Sequence, residues 1–342
     1  MTVMSTTPET PTTPTATPAA KSEPATPAAS PYLMLLDTPA LYFRAFYGVP
    51  GSVTAPDGTP VNAIRGLLDM IAFLIKPDRR NQAWRGRPTR LVACMDADWR
   101  PAFRVAALPS YKAHRLGPDG GEENVPPALT VQIPVIEEVL DAAGIAQAPA
   151  PGYEADDVIG TLAARAGVPV DIVTGDRDLF QLVDDSRQVR VLYTARGFGR
   201  LEAIDEAGVT ARYDIPGRAY ADFAALRGDP SDGLPGVRGI GAKTAAALVR
   251  RFGTVDAMLA ALDLEPTASG LGSSRAKLAA DREYLRAAMP VVRVATDAPV
   301  PPLDDALPVT PKDPARLAGL AERWNLGSAM NRLINALRAG AA

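Results

Sequence analysis

The sequence has one cysteine, Cys94, and one histidine, His114, in 342 residues. A lone cysteine excludes an intramolecular disulfide framework and suits a reducing, cytoplasmic setting. Together the two scarcities exclude the usual Cys/His zinc sites, and any Ser-His-Asp triad would have to be built on His114. No run approaches the roughly 20 apolar residues that span a bilayer, so no membrane segment is expected. The N-terminus lacks a basic stretch followed by an apolar one, so it does not read as a secretory signal. A basic excess is missing too: 36 Lys and Arg stand against 39 Asp and Glu, a net charge of −3. Over the whole chain that balance argues weakly against nucleic acid, although a site of roughly eight or nine carboxylates would mask a local basic groove. With soft ligands scarce, any bound metal must be a hard cation held by oxygen, such as Mg²⁺ or Mn²⁺.

What the sequence does have is apolar residues, 47% of the total, enough for a substantial core. Residues 1–30 are almost wholly Thr, Pro, Ala and Ser, a composition that cannot offset its ordering entropy and reads as a disordered tail. From Pro31 onward, short apolar runs alternate with helical patterns. The runs are 32–37, 90–96, 170–178 and 187–194; the helices are 61–75, 128–145 and 154–167. This alternation predicts an α/β fold with a mostly parallel central sheet flanked by helices over 31–204. Three of the runs end in acid, at Asp37, Asp96 and Asp176/Asp178, and ligands of such sheets bind beyond the carboxyl ends of the strands. After 205 the pattern turns helical, with Gly-rich turns to about 290, and a Pro-rich connector leads to a closing helical pair within 291–342.

"GYEADDVIG" (152–160) crowds Glu154, Asp156 and Asp157 onto one arc of a half-buried helix start. Such carboxylates repel one another unless a cation sits among them. "GVRGIGAKTA" (236–245) fails as a P-loop, because Ala242 separates Gly241 from Lys243-Thr244 and no strand precedes it. It reads better as a helix-hairpin-helix turn, in which Gly239 and Gly241 expose amides to a phosphate oxygen and Lys243 and Thr244 open the next helix. In "SYKAHR" (110–115), Tyr111 beside Lys112, His114 and Arg115 suits base stacking with phosphate contact. Pro39 excludes the Asp-x-Asp of a haloacid-dehalogenase phosphatase, and Cys94, inside an apolar strand, reads as a packed thiol.

These segments, with "LLDTPALYFRAFYGVP", "MDADWRPAFR", "TGDRDLFQLV" and "GDPSDGLPGVRGIGAKTA", occur in family order. From Tyr32 to about Ala339 the chain thereby resembles the 5′ nuclease (flap endonuclease) family, specifically the 5′-to-3′ exonuclease domain at the N-terminus of bacterial DNA polymerase I and its stand-alone relatives. The resemblance implies a PIN-like nuclease core with a gateway region over 100–130, followed by a helix-hairpin-helix region over 205–290. It implies an acidic two-metal site, with Asp37, Asp96, Glu154 and Asp156 on one side and Asp176, Asp178 and Asp232 on the other. Asp157 and Asp229 match further, outer-sphere carboxylates. Arg104, Lys112 and Arg115 match gateway positions that touch the scissile phosphate or threaded strand, and Tyr42, Arg44 and Phe46 match positions near the cleaved nucleotide. The turn from Arg238 through Gly239 and Gly241 to Lys243 and Thr244 matches the family's grip on downstream duplex, often with a K⁺ ion.

The implied activity is structure-dependent 5′-to-3′ exonuclease and 5′-flap endonuclease cleavage of branched or nicked DNA and RNA-DNA hybrids, in replication and repair, with two Mg²⁺ ions about 4 Å apart. No fused polymerase is expected, and a monomer is the default. Thr38 stands where the family usually has Gly, Gly233 where it commonly has Asn, and the loop 116–127 is longer and more acidic than usual. The rival from another class is a DNA-structure-binding protein without catalysis; an RNA-cleaving enzyme on a related core is disfavoured by the hairpin segment.

Overall fold

The computed structural model describes residues 1–2, 31–76, 85–266 and 268–339, so the expected tail lies almost wholly outside the described residues. Six strands form one sheet: β1 (Leu33–Asp37), β2 (Arg90–Cys94), β3 (Ala146–Ala148), β4 (Val170–Thr174), β5 (Val189–Tyr193) and β6 (Glu202–Ile204). Their order is β3-β2-β1-β4-β5-β6. All neighbours are parallel except β5 and β6. The sheet therefore runs outward from β1 in one direction through β2 and β3, then restarts at β4 in the other. That reversal puts a crevice at the carboxyl ends of β1 and β4, where Asp37 and Thr174 stand.

Both central strands are buried at every position, as their largely apolar sequences require, and the buried Asp171 within β4 is paired with Arg85 and Arg190. Leu33 and Leu35 join a core on one face of the sheet, and Met34 and Leu36 join the core on the other. The three-residue strands β3 and β6 were not among the expected strands; "AQA" and "EAI" are too short to carry an alternating pattern. Two expected helices are divided. The 128–145 pattern becomes Pro127–Thr130 and Ile133–Ala143, with Pro134 in the first turn of the second, where its missing N–H costs nothing. The last helical stretch before residue 290 breaks at Asp281 into Arg275–Ala280 and Arg282–Val292.

The C-terminal pair returns to the nuclease core. Helix Gly327–Arg338 packs on helix Asn62–Ile75, and Arg332 forks onto Asp69 at 2.7 and 3.0 Å. The Arg87 guanidinium donates to the Ala336 and Leu337 carbonyls at the end of that closing helix. On the opposite face, residues 291–298 lie across helix Ala155–Arg165. The contact is close at Gly160, where a Cβ would stand 2.4 Å from Val294 Cγ1 and 2.5 Å from the Ala295 carbonyl oxygen. Among the described residues no helix is long and apolar enough to cross a membrane.

Candidate metal centre and nucleic-acid cleft

Each strand end delivers its acid. Asp37 closes β1 and caps helix Thr38–Gly48, accepting from the Ala40 amide at 3.2 Å, while the Thr174 hydroxyl at the end of β4 donates to its other oxygen at 2.5 Å. Asp96 follows β2 and accepts from the Ala155 amide at 2.7 Å, which ties it to the start of the acidic helix. Glu154 is that helix's N-cap. Asp176 accepts from the Asp178 amide at 2.9 Å within the turn after β4. Asp37, Asp96, Glu154, Asp156 and Asp176 line one cleft of about 250 Å³ with Lys112, Arg115, Phe43, Trp99 and Glu123. Asp178 and Asp232 neighbour Asp176, whose charge raises the proton affinity of both.

The electrostatics are those of carboxylates crowded together with little water between them. Burial first, then the Thr174 and Ala40 hydrogen bonds against it and the Asp176 and Asp96 charges with it, leave Asp37 at about 7. Burial followed by the Asp37, Asp176 and Glu154 charges pushes Asp156 well above the usual carboxylate range. Asp178 is pushed well up by burial and by Asp176, Asp232 and Asp229. Burial raises Asp232 to about 6 despite Lys112 and Arg115. Asp96 and Glu154 are also raised, burial being the largest cause for both. Asp178 Oδ1 is buried and meets no hydrogen-bond partner among the described residues, an orphan acceptor that a hard cation would satisfy. Among the described residues no three carboxylates close on a single point. Mg²⁺ suits such a half-open set, since it keeps several waters and takes one or two carboxylates together with substrate phosphate oxygens.

Five expected site residues are placed elsewhere. Arg104, 2% exposed, forks onto the fully buried Asp157 at 2.7 Å twice and donates to the Val291 and Arg293 carbonyls at 3.0 and 3.3 Å. Asp157 also accepts from the Ala295 amide at 2.8 Å and the Glu154 amide at 3.2 Å. The pair consequently pins the acidic helix to the strap at 291–295, with no donor spare for a phosphate and no carboxylate spare for a metal. Tyr111, 2% exposed, donates its hydroxyl to Glu154 at 2.9 Å and has no free face for stacking. Asp229 holds its own turn, accepting from the Ser231 amide at 3.0 Å, the Ser231 hydroxyl and Arg227 at 3.1 Å. Tyr42 is also turned inward, into the core beneath helix Thr38–Gly48.

Lys112 and Arg115 do face the cleft. The Lys112 ammonium meets Glu154 Oε1 at 3.0 Å. Burial alone would lower it, but the Glu154, Asp232 and Asp96 charges outweigh burial and hold it above its ordinary value. Arg115 donates to Asp232 at 3.2 Å and to the Ser231 carbonyl at 2.9 Å. The segment around 110–115 thus leans on the turn carrying Asp232, where Gly233 has φ +75° and a Cβ would fall 2.2 Å from the Ser110 carbonyl oxygen. That contact accounts for glycine at a position where the resemblance leads one to expect Asn.

Sequence reasoning missed Phe43, Trp99 and Glu123 in the cleft, and Tyr47 beside it. Phe43 lines the cleft, and Tyr47, one helical turn on, lines the adjoining pocket with His114 and Asn124. The signal for both was helical spacing, because Leu41 and Ala45 point into the core. Glu123, from the acidic loop, folds over the cleft and is raised by burial. Arg44 lies beside Gly175 in the turn that carries Asp176, and Phe46 packs half-buried against the Tyr47 ring edge.

The hairpin matches its expected form. Helix Tyr220–Arg227 leads to a turn in which Gly239 has φ +78°, and Gly241 caps helix Ala242–Phe252 with no side-chain bond to its first amides. Arg238, Gly239, Gly241 and Lys243 are exposed and Thr244 is half-buried, so the turn is open to a ligand. The Gly239 carbonyl, however, already accepts from the Lys277 ammonium at 2.8 Å. A K⁺ ion on that carbonyl would sit about 4 Å from a like charge, a repulsion of roughly 1 kcal/mol in water and up to about 4 kcal/mol at an effective dielectric of 20. The turn as built does not fit the monovalent ion there.

Residues 32–214 match the 5'-3' exonuclease N-terminal resolvase-like domain, and residues 215–315 match the 5'-3' exonuclease C-terminal SAM fold. A 5'-3' exonuclease of Streptomyces coelicolor is 57% identical over 312 residues, covering 90% of this chain and all of that protein. One from Mycobacterium tuberculosis is 51% identical over 318 residues, covering 89% of this chain and 97% of its own. DNA polymerase I of Mycobacterium bovis is 35% identical over 324 residues, 93% of this chain but 33% of the polymerase. In fold, the T5 D15 protein co-crystallised with metal ions covers 90% of this chain and 99% of its own at TM-score 0.56 and 19% identity. Human GEN1 in complex with Holliday junction DNA covers 89% of this chain and 71% of its own at TM-score 0.59 and 16% identity. Two consecutive domain matches and full-length relatives above half identity make the chain a member of the 5'-3' exonuclease family.

Proposed function

We propose that the chain is a divalent-metal-dependent 5′ nuclease that hydrolyses phosphodiester bonds in flapped, nicked or branched DNA and in RNA-DNA hybrids. The observation that carries this reading is the gathering of Asp37, Asp96, Glu154, Asp156 and Asp176 in one cleft with Lys112 and Arg115. A purely binding surface gains nothing from crowded carboxylates that repel one another and the phosphates they face. Asp37, Asp96, Glu154 and Asp156 would hold one cation, and Asp176, Asp178 and Asp232 a second. Two hard cations, when bound, supply Lewis-acid charge neutralisation and lower the pKa of water at the scissile phosphate.

The chain's own residues do the rest. The Lys112 ammonium and Arg115 guanidinium border the carboxylates and neutralise charge that develops on the phosphoryl oxygens. Tyr111 and Arg104 keep Glu154 in place, one through its hydroxyl at 2.9 Å and the other through the Asp157 fork. Phe43 offers an apolar face to the nucleotide beside the cut. The first amides of helix Ala242–Phe252, with Arg238 and Lys243, grip downstream duplex phosphates without reading bases. Removal of 5′ flaps and RNA primers in replication and repair follows from that specificity for shape.

The test is a 5′-flap duplex labelled at its 3′ end, incubated with Mg²⁺ or with EDTA and resolved at single-nucleotide length. The expected result is one Mg²⁺-dependent cut at or next to the junction, leaving a 5′-phosphate. Tight binding with no cut in Mg²⁺ or Mn²⁺ would sink the reading and leave a DNA-structure-binding protein.

A further inference from the structure

We propose that the Lys277 ammonium is the resident cation of the hairpin turn, so that the turn holds a duplex phosphate without a monovalent metal ion. The inference rests on reading that turn as a duplex-binding element. One face of a neighbouring helical segment supplies two opposite charges to it. Lys277 donates to the Gly239 carbonyl at 2.8 Å, and Asp281, four residues on, accepts from the Arg238 amide at 2.8 Å. Residues four apart share a helix face, so the ammonium and the carboxylate reach neighbouring residues of the turn together. The Asp281 amide in turn donates to the Lys277 carbonyl at 3.2 Å, which fixes the spacing of the two groups.

The lysine arm lies against the glycine it serves. A Cβ on Gly239 would stand 3.4 Å from both Cε and Nζ of Lys277, so the end of the lysine arm packs in van der Waals contact with that residue. The positive φ of Gly239 aims its carbonyl out of the turn, and the Ile240 amide closes the turn onto the Val237 carbonyl at 2.9 Å. An ammonium carries three donors, so one on Gly239 leaves two for a phosphate oxygen or water. Lys277 therefore does what a monovalent ion bound to that carbonyl would do: it neutralises the acceptor and leaves positive charge on the exposed turn. Because the charge is covalently attached, it is present whatever salt surrounds the protein.

The experiment measures binding of a fluorescent flap duplex by anisotropy, in EDTA to prevent cleavage, with K⁺ or N-methylglucammonium as the cation at equal ionic strength. Wild type is expected to bind with the same Kd in both salts within about twofold, whereas Lys277→Met is expected to bind about tenfold more weakly in N-methylglucammonium and to recover in K⁺. Lys277→Arg should match wild type. A wild-type Kd that itself depends on K⁺ overturns the inference while leaving duplex binding intact. Equal weakening of Lys277→Met in both salts, or none in either, also overturns it, because Lys277 would then be an ordinary phosphate contact or no contact. Absence of wild-type binding in both salts would instead bring down the duplex-binding reading on which the inference stands.

Discussion

Replacing Arg104 by Met separates a positioning role from a catalytic one. In the folded chain the substitution leaves the Asp157 carboxylate buried, with only the Ala295 and Glu154 amides as donors, and removes the donor to the Val291 and Arg293 carbonyls. Breaking a buried pair by removing one partner costs about 3–5 kcal/mol. At about 2–4 °C per kcal/mol for a domain of roughly this size, Tm should fall by about 6–20 °C. The companion change Asp157→Leu removes the stranded charge, so the double variant should recover part of the loss, and a double-mutant cycle by calorimetry in EDTA reads the coupling directly. Below its melting temperature Arg104→Met should retain flap cleavage within about tenfold, since no guanidinium contact to the phosphate is lost. A variant that melts with wild type yet loses cleavage by about a thousandfold would refute the buried-clamp argument and restore Arg104 as a group that touches substrate.

Asp178→Asn should abolish flap cleavage, and in EDTA at pH 8 it should raise Tm, because it deletes a buried charge repelled by Asp176, Asp232 and Asp229; a fall in Tm would contradict the crowding. With folded-state values of about 7 for Asp37 and about 6 for Asp232, the folded chain binds more protons than the unfolded chain above the ordinary carboxylate range. The stability they confer is full below that range and is lost as pH rises through 6 to 7, so metal-free Tm should decline from about pH 5 to 8 and Mg²⁺ should raise it more at pH 8 than at pH 5.5. Melting curves that rise with pH in EDTA would contradict the sign. Gly160→Val should lower Tm by several degrees, since its side chain must push back the 294–295 strap, and an unchanged melt would show that the strap yields freely.

Much of this was legible because it lies in strand ends and helix starts. The runs ending at Asp37 and Asp96 and the cap at Glu154 are local patterns, and their convergence follows from parallel topology alone. The sign of each side chain's direction was not local. Tyr111 read as a stacking residue from its basic neighbours and Tyr42 as a position near the cleaved nucleotide from the resemblance, but one is consumed by Glu154 and the other by the core. Arg104 and Asp157 are 53 residues apart, and nothing in either segment says that they meet. Lys277 reaches the hairpin across 38 residues from a helix that carries no motif. The short strands β3 and β6 exist because the neighbours they pair with are already in place.

The central claim is that the crowded carboxylates exist to hold divalent cations. Isothermal titration of Mn²⁺ into the DNA-free protein at pH 7.5, repeated in two buffers of different ionisation enthalpy, tests it apart from activity. The account predicts saturable binding of two ions with release of protons from the raised carboxylates, and loss of one ion on Asp178→Asn. Binding that is unsaturable, releases no protons or is the same in wild type and Asp178→Asn would contradict it.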